Sequence, residues 1–485
     1  MSAHDLALIS IKPEHAKQIY AGEKRAELRK SFGSAIRIIF MYETAPVSAV
    51  TGAFLVGRLE NLPVGELLDL VGEYGVPSER ARAYYGKRNT GWVITVRSAV
   101  KFKREIPLSK LQSINHQFAP PQSFAYVSLG DSTGQTLHDA LLASMESRLA
   151  VRPIAHGNKE RFAQEIRETV RRSYDDIDED FIGQVVDPEI GVDAAFSTLR
   201  KHIVEVRLGD QVIGFSALTE KAHGSWKTGP TILLPDFRGL MLGGVLRRKI
   251  EMFCKSRGAV AVYCTCASNS APVVAYLLNS GMQIQARLRR HLGADRDELV
   301  FAKRFGRLKP TSCRRRVVHA PWSGKLKLVR VSSTSRLLTP ATKFMSKEMA
   351  RWYFRPQHAF GGAVKSGLEN AESGSTRYSS KNKELYCLHG RGGAVFGAIL
   401  ATVKRSRMVK LNVFWTALDT VSMRRLLAAV LRRARTARRI YLTVPADEGK
   451  ALDVLLGRGF QIEGVLTNPF ETGVDHLCLG WLPKE

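Results

Sequence analysis

The stretch from Gly229 to Lys255 constrains this 485-residue chain more tightly than any other. Gly229-Pro-Thr-Ile-Leu-Leu234 reads as a buried strand, and Pro235-Asp236-Phe237 breaks it. Arg238-Gly239-Leu240-Met241-Leu242-Gly243-Gly244 then leads into an amphipathic helix over Val245 to Lys255. The first turn of a helix has backbone N–H groups with no intrahelical partner, and the helix dipole adds positive potential there. Linked phosphates suit such a place. Glycines let the backbone approach them closely, and Arg238 supplies a cation.

The neighbouring segments narrow the choice. Ala150 to Ile154 predicts a strand and Lys159 to Arg172 a helix. His202 to Arg207 and Val212 to Ala217 predict two strands around the Gly209-Asp210 turn. After the glycine turn come a strand (Ala259 to Cys266), Asn269, a helix (Pro272 to Asn279), Gly281 and a returning strand. This order resembles the GNAT acetyltransferase superfamily, whose turn reads Gln/Arg-x-x-Gly-x-Gly/Ala. Arg238 and Gly243 match it, with Gly239 and Gly244 in support.

The resemblance implies acetyl-CoA, held by backbone at Leu233 and Leu234 and by Arg238, Gly239, Leu240, Met241, Leu242, Gly243 and Gly244. Met241 stands where the first glycine is usual, so the turn either accepts pyrophosphate or is plugged by a thioether. Asn269 and, seven residues on, Tyr276 match a further family feature, which implies that Tyr276 is the acid for the departing thiolate. One residue more than usual separates Tyr276 from Gly281, and one residue turns a helix by about 100°. The phenol therefore faces either the cleft or the core. Glu205 is the candidate general base.

The final segment repeats the order. Strands are expected at Lys325 to Val331, Glu384 to His389, Val395 to Thr402, Val409 to Trp415 and Ile440 to Val444. Ser366 to Asn382 reads as a polar loop, and "ALDVLLGRGFQIEGV" parallels "APVVAYLLNSGMQIQAR". It resembles a second, degenerate GNAT-like copy. Thr416 to Val421 replaces the glycine turn, and the bulk there, with Asp419, disfavours pyrophosphate.

The opening segment is different. Leu6 to Ile11, Ile36 to Tyr42, Ala49 to Val56 and Trp92 to Val96 predict short buried strands, which suggests a small β-barrel. "LISIKPEHAKQIYAGEKRAELRK", "YYGKRNTGWVITV" and "PPQSFAYVS" resemble an ASCH domain, of the PUA-like class of RNA-binding barrels. The resemblance implies a nucleotide cleft lined by Lys24, Glu27 and Arg29. Related amidohydrolases place a threonine nucleophile where Glu27 stands here, so binding is favoured over catalysis.

Charge bears on the partner. Lys and Arg exceed Asp and Glu by 28, a field that draws polyanions. Lys303 to Arg316 carries seven basic residues and no acid, as does Arg424 to Arg439. On one helix Arg424, Arg425, Arg432, Arg435, Arg438 and Arg439 would form a stripe opposite Met423, Leu426, Leu427 and Val430. RNA, with tRNA among the options, is the expected partner. Six cysteines in no CxxC pair, and no calcium-loop pattern in Asp175 to Asp180, argue against a metal. No signal peptide or membrane span is expected, and a reducing cytoplasm fits.

The expectation is an α/β (α+β) chain: a PUA-like β-barrel at 1–130, a GNAT domain at 150–306 and a second GNAT-like domain at 320–485. Its expected activity is acetyl transfer from acetyl-CoA to an amine on RNA, aminoacyl-tRNA or an RNA-associated protein. The rival reading is a nucleic-acid-binding regulator that uses the GNAT folds as scaffold.

Overall fold

A computed structural model describes residues 5–33, 35–170, 179–188, 198–240, 242–293, 295–306, 325–353, 359–374, 382–404, 407–470 and 473–483. The chain divides into two compact units. The first is Met1–Ala150 with Arg207–Gln211 and Pro235–Lys249; the second is Val151–Val206, Val212–Leu234 and Ile250–Glu485.

The first unit begins with strand β1 (Leu6–Ile11) and helix α1 (Pro13–Ala21), which has proline in its first turn and ends at Gly22 with φ +79°. β2 (Ala26–Arg29), β3 (Ile38–Glu43), β4 (Ala49–Pro63), α2 (Val64–Leu70), α3 (Ser78–Tyr85), β5 (Thr90–Pro107), α4 (Leu108–Ile114), β6 (Phe124–Tyr126) and α5 (Ser132–Arg148) follow. The strands form one sheet in the order β2-β5-β4-β3-β1-β6, with only β1 and β3 parallel. Three register shifts along β4 and β5 mark bulges that bend the long hairpin and curl the sheet into a half-barrel. β4 and β5 are much longer than their apolar runs suggested. Beyond Leu55 and Val100 many of their residues reach solvent, and the charged side chains there carry no hydrophobic signal.

The second unit holds most of a mixed sheet. The first half of that sheet, with its helices, comprises β7 (Leu149–Pro153), α6 (Lys159–Val170), α7 (Glu179–Val186), β8 (Thr198–Leu208), β9 (Gln211–Lys221), β10 (Ser225–Leu233), α8 (Gly243–Lys255), β11 (Ala261–Ala267), α9 (Ala271–Asn279), β12 (Gln283–Leu288) and β13 (Glu298–Arg304); the start of β7, the end of β8, Gln211 and the Gly243–Lys249 part of α8 are counted with the first unit. The second half comprises β14 (Lys327–Val331), α10 (Leu338–Trp352), α11 (Phe360–Glu372), β15 (Lys383–His389), β16 (Val395–Val403), β17 (Met408–Phe414), α12 (Thr420–Arg433), β18 (Arg439–Pro445), α13 (Gly449–Leu456), β19 (Gln461–Leu466) and β20 (His476–Trp481).

The two halves have the same strand order, β7-β8-β9-β10-β11-β13-β12 and β14-β15-β16-β17-β18-β20-β19. In each a parallel pair, β10 with β11 and β17 with β18, is joined over three residue pairs. This is a mixed α/β arrangement that occurs twice in tandem. β12 and β19 pair at Ala286 and Gly464, which joins the halves into one sheet of fourteen strands. A Cβ on Gly464 would lie 2.4 Å from Ala286 Cα, so this seam requires glycine.

Two expectations need correction. Ser366 to Glu372 is not loop but part of α11, because Phe360, Val364, Gly367 and Leu368 recur at helical spacing and are all buried. Residues 375–381, from the same expected loop, lie outside the described residues. The arginine-striped helix ends at Arg433, with Ala434 as its cap. Arg439 therefore belongs to β18, where it is fully buried against Glu463.

Candidate functional site

The geometry at the glycine turn follows from where β10 loses its neighbour. Its ladder with β9 runs to Leu233, but its ladder with β11 stops at Lys227. A register shift lies between Thr228 and Thr231, with Gly229 at φ +127°. Beyond it the two parallel strands part. Leu233 is half-buried, and the Leu234 amide donates to the Ile213 carbonyl at 2.9 Å.

In the first unit Pro235–Phe237 forms a single tight turn, and the Arg238 amide donates to the Pro235 carbonyl at 3.1 Å. Phe237, Leu240, Leu242, Val245 and Leu246 are buried beneath. These side chains pin the turn from below, so its exposed face is backbone. Gly239 has φ +75°, and a Cβ there would lie 2.5 Å from an Arg37 guanidinium nitrogen. Arg37 also donates to the Arg238 carbonyl. Gly243 and Gly244 open α8, and a Cβ on Gly244 would make ordinary contact with Arg248 at 3.8 Å. Met241 lies outside the described residues.

Positive charge gathers here. Arg97 meets the Asp236 carboxylate at 3.2 Å and its carbonyl at 3.1 Å. Arg248 holds Glu146 through two bonds of 2.9 and 2.7 Å, which keeps that carboxyl below its ordinary range. A cavity of about 670 Å³ opens beside the turn, lined in part by Arg37, Trp92, Arg97, Asp236 and Leu240. Sequence reading missed Arg37 and Arg97, because nothing local ties either to a turn about 140 to 200 residues away.

The remaining transfer candidates lie in the second unit. Glu205 is buried, and its carboxylate accepts from Asn158 Nδ2 at 2.7 Å and from the Ala155 amide at 3.2 Å. Asn269 is exposed in the connection from β11 to α9. Tyr276 is half-buried on α9 and packs with Val274 against the cluster of Cys264, Cys266, Leu277, Met282, Leu299 and Phe301. Burial raises the Cys266 thiol to about 11, as expected for an inert core cysteine.

The equivalent place in the second half is filled by the protein itself. Asp419 caps α12, and its carboxylate accepts the Ser422 amide at 2.6 Å. Trp415 and Leu418 are buried just before it, and Thr416 donates to Glu348. Asp419 thus puts a carboxylate on amides that a phosphate would need.

In the first unit Lys24, Glu27 and Arg29 come together. Glu27 receives Lys24 on one carboxylate oxygen and Arg29 at 2.9 Å on the other. Arg29 also donates to the Ser10 and Ser123 carbonyls at 2.9 and 3.1 Å. All three residues are under a tenth exposed. A second polar chain escaped the sequence reading. Tyr20 bonds Thr51 at 2.8 Å, and Thr51 donates to Glu43 at 2.6 Å.

On α12 Arg424, Arg425 and Arg432 are exposed, and Arg425 donates to the Leu326 carbonyl at 3.0 Å. Arg435 is exposed beyond the helix end. In the other basic run Lys303 pairs with Glu251 at 2.9 Å, while residues 307–316 lie outside the described residues. The five described cysteines are buried and none of them is in a disulfide. Among the described residues no group of three or more His, Cys, Asp or Glu side chains could hold a metal, and no helix is long and apolar enough to cross a membrane.

No family model matches the chain. An ASCH domain-containing ribonuclease of Zymomonas mobilis is 30% identical over 127 residues, which span 25% of this chain and 83% of that protein. The chain belongs to the ASCH domain family. The crystal structure of ASCH from Zymomonas mobilis is 27% identical, with 27% of this chain and 94% of that one covered at a TM-score of 0.26. Spermidine N-acetyltransferase from Vibrio cholerae, in complex with CoA and spermine, is 16% identical over 33% of this chain and 96% of that one, at a TM-score of 0.28. A tandem GNAT protein from the clavulanic acid biosynthesis pathway is 14% identical over 70% of this chain and 99% of that one, at 0.36.

Proposed function

We propose that this chain is an acetyl-CoA-dependent N-acetyltransferase whose ASCH domain binds RNA. Its domains are an ASCH domain at 1–130, a GNAT domain at 150–306 and a silent GNAT-like copy at 320–485. The observation that carries this reading is the strand, turn and helix at Leu233 to Gly244. There β10 parts from β11, buried side chains pin the turn from beneath, and the missing side chain of Gly239 lets the Arg37 guanidinium come up against the turn. Acetyl-CoA supplies an activated acetyl thioester.

The protein's own tasks follow from the residues. Amides of Gly239, Leu240, Met241, Leu242, Gly243 and Gly244 and the Arg238 guanidinium hold pyrophosphate. Backbone at Leu233 and Leu234 orients the acetyl arm and polarises its carbonyl. A neutral amine attacks the carbonyl carbon, the carbon–sulfur bond breaks, and Tyr276 gives its proton to the leaving sulfur. Asn269 belongs to the same cofactor-side set. Glu205, held by Asn158 and Ala155, serves as the distal base that takes the amine's proton through water. The acceptor is an amine on RNA, on an aminoacyl-tRNA or on an RNA-associated protein. Arg424, Arg425, Arg432 and Arg435 add phosphate contacts to those of Lys24 and Arg29, and cysteines that form no disulfide among the described residues suit the cytoplasm.

The test is to incubate the protein with labelled acetyl-CoA and total cellular RNA and protein, then identify labelled amines by mass spectrometry. The expected result is one labelled class that disappears with Arg238→Ala; no label above background with the parent chain would refute transfer.

A second reading concerns the ASCH domain alone. Its Zymomonas relative is a ribonuclease, and the same chemistry here would show as RNA cleavage that survives Arg238→Ala but not Glu27→Gln.

A further inference from the structure

The cavity beside the glycine turn has one wall made by the turn itself, at Asp236 and Leu240, and another made by Asp5, Arg37, Trp92 and Arg97 of the ASCH domain. All of these residues belong to the first compact unit. The inference rests on the reading that the turn holds pyrophosphate. We propose that the ASCH domain completes the acetyl-CoA site, and that this cavity takes the adenosine 3′-phosphate end of coenzyme A.

Three observations support this occupant. The adenosine is bonded directly to the pyrophosphate, so its ribose and base must lie within one nucleotide's reach of the turn. The cavity is bounded by that turn and, at about 670 Å³, has room for one nucleotide. Its lining also matches the chemistry of a nucleotide. Trp92 offers a face for a base.

The third observation is the placement of charge. Arg97 is paired with the Asp236 carboxylate at 3.2 Å, whereas the bond from Arg37 runs to a carbonyl, which cancels no charge. Arg37 is thereby fixed over Gly239 as a cation facing the turn. A planar guanidinium held in this way suits a phosphate monoester better than a solvated lysine would.

Calorimetric titration of the full chain with coenzyme A and with dephospho-coenzyme A tests the proposal. The parent should favour coenzyme A by about tenfold or more, because a charge-assisted phosphate contact is among the strong hydrogen bonds. Arg37→Gln should erase that preference while leaving dephospho-coenzyme A within about twofold of its parent affinity. Arg37→Lys should keep part of the preference, and Trp92→Leu should weaken both ligands alike. These two variants also serve if Arg37→Gln fails to fold.

Equal weakening of both ligands by Arg37→Gln would mean that the arginine only shapes the turn, and would overturn the proposal. So would a parent that does not distinguish the two ligands. If Arg37→Gln instead lowers affinity for a single-stranded RNA oligonucleotide and spares coenzyme A, the cavity reads RNA and the proposal fails. If Arg238→Ala weakens both ligands while Arg37→Gln weakens neither, the turn reading stands and only the cavity assignment falls. A parent with no affinity for coenzyme A would remove both.

Discussion

Glu27 lies between Lys24 and Arg29 in the interior of the ASCH domain, with a cation on each carboxylate oxygen. Removing its charge leaves two buried cations without their counter-ion, which costs about 3–5 kcal/mol in comparable sites. Glu27→Gln should therefore lower the urea midpoint of the ASCH domain clearly, as followed by Trp92 fluorescence; an unchanged midpoint would show that the trio is solvated. His291 makes a different residue-scale case. It faces Glu298 at 3.5 Å, and burial, helped by Arg439 and Arg438, holds its pKa down to about 3. Its folded pKa is lower than its unfolded one, so the unfolded chain binds a proton that the folded chain does not. Stability is therefore lost as pH falls from about 6.5 towards about 3. His291→Asn should remove about one proton from the acid unfolding slope between pH 4 and 6, measured as the difference in midpoint against pH from the parent. Superimposable profiles would contradict the assignment.

Among the elements, strands with a strong alternating or apolar run were legible in the sequence, and so were the helices that follow the glycine turn and its counterpart. Three short helices were not. α2, α3 and α4 have seven or eight residues each, too few to show a 3.6-residue period. Each starts directly after a proline, at Pro63, Pro77 and Pro107, and that was the signal available. The stripe beyond Arg433 was misread because arginine carries no mark that separates helix from strand, and only Glu463 reveals where Arg439 belongs. The β12 and β19 seam was invisible for a similar reason: it joins residues 178 apart through one close glycine. Two predictions belong at this scale. Asp419→Ala removes the cap of α12 and should cost about 1 kcal/mol without creating affinity for acetyl-CoA, as measured by thermal unfolding and calorimetry. Replacing Arg424, Arg425 and Arg432 together by glutamine should lower RNA affinity and reduce the slope of log affinity against log salt by about 2, at about 0.7 per phosphate contact. An unchanged slope would assign those arginines to the helix dipole and to solvent.

For the whole molecule, the two halves share a strand order and a three-pair parallel junction but differ at the helix that follows. In the first half glycines leave the helix start to backbone; in the second a carboxylate already occupies it. The same strand order thus occurs twice, and the proposed phosphate site belongs to the first copy only. On the proposed reading, the excess of 28 positive charges is the field that draws RNA towards that site. Stoichiometry tests this most directly. Titration of acetyl-CoA into the full chain should give one site per chain, weakened about tenfold or more by Arg238→Ala and unaffected by Asp419→Ala. No heat at millimolar ligand, or two equivalent sites, would contradict the account.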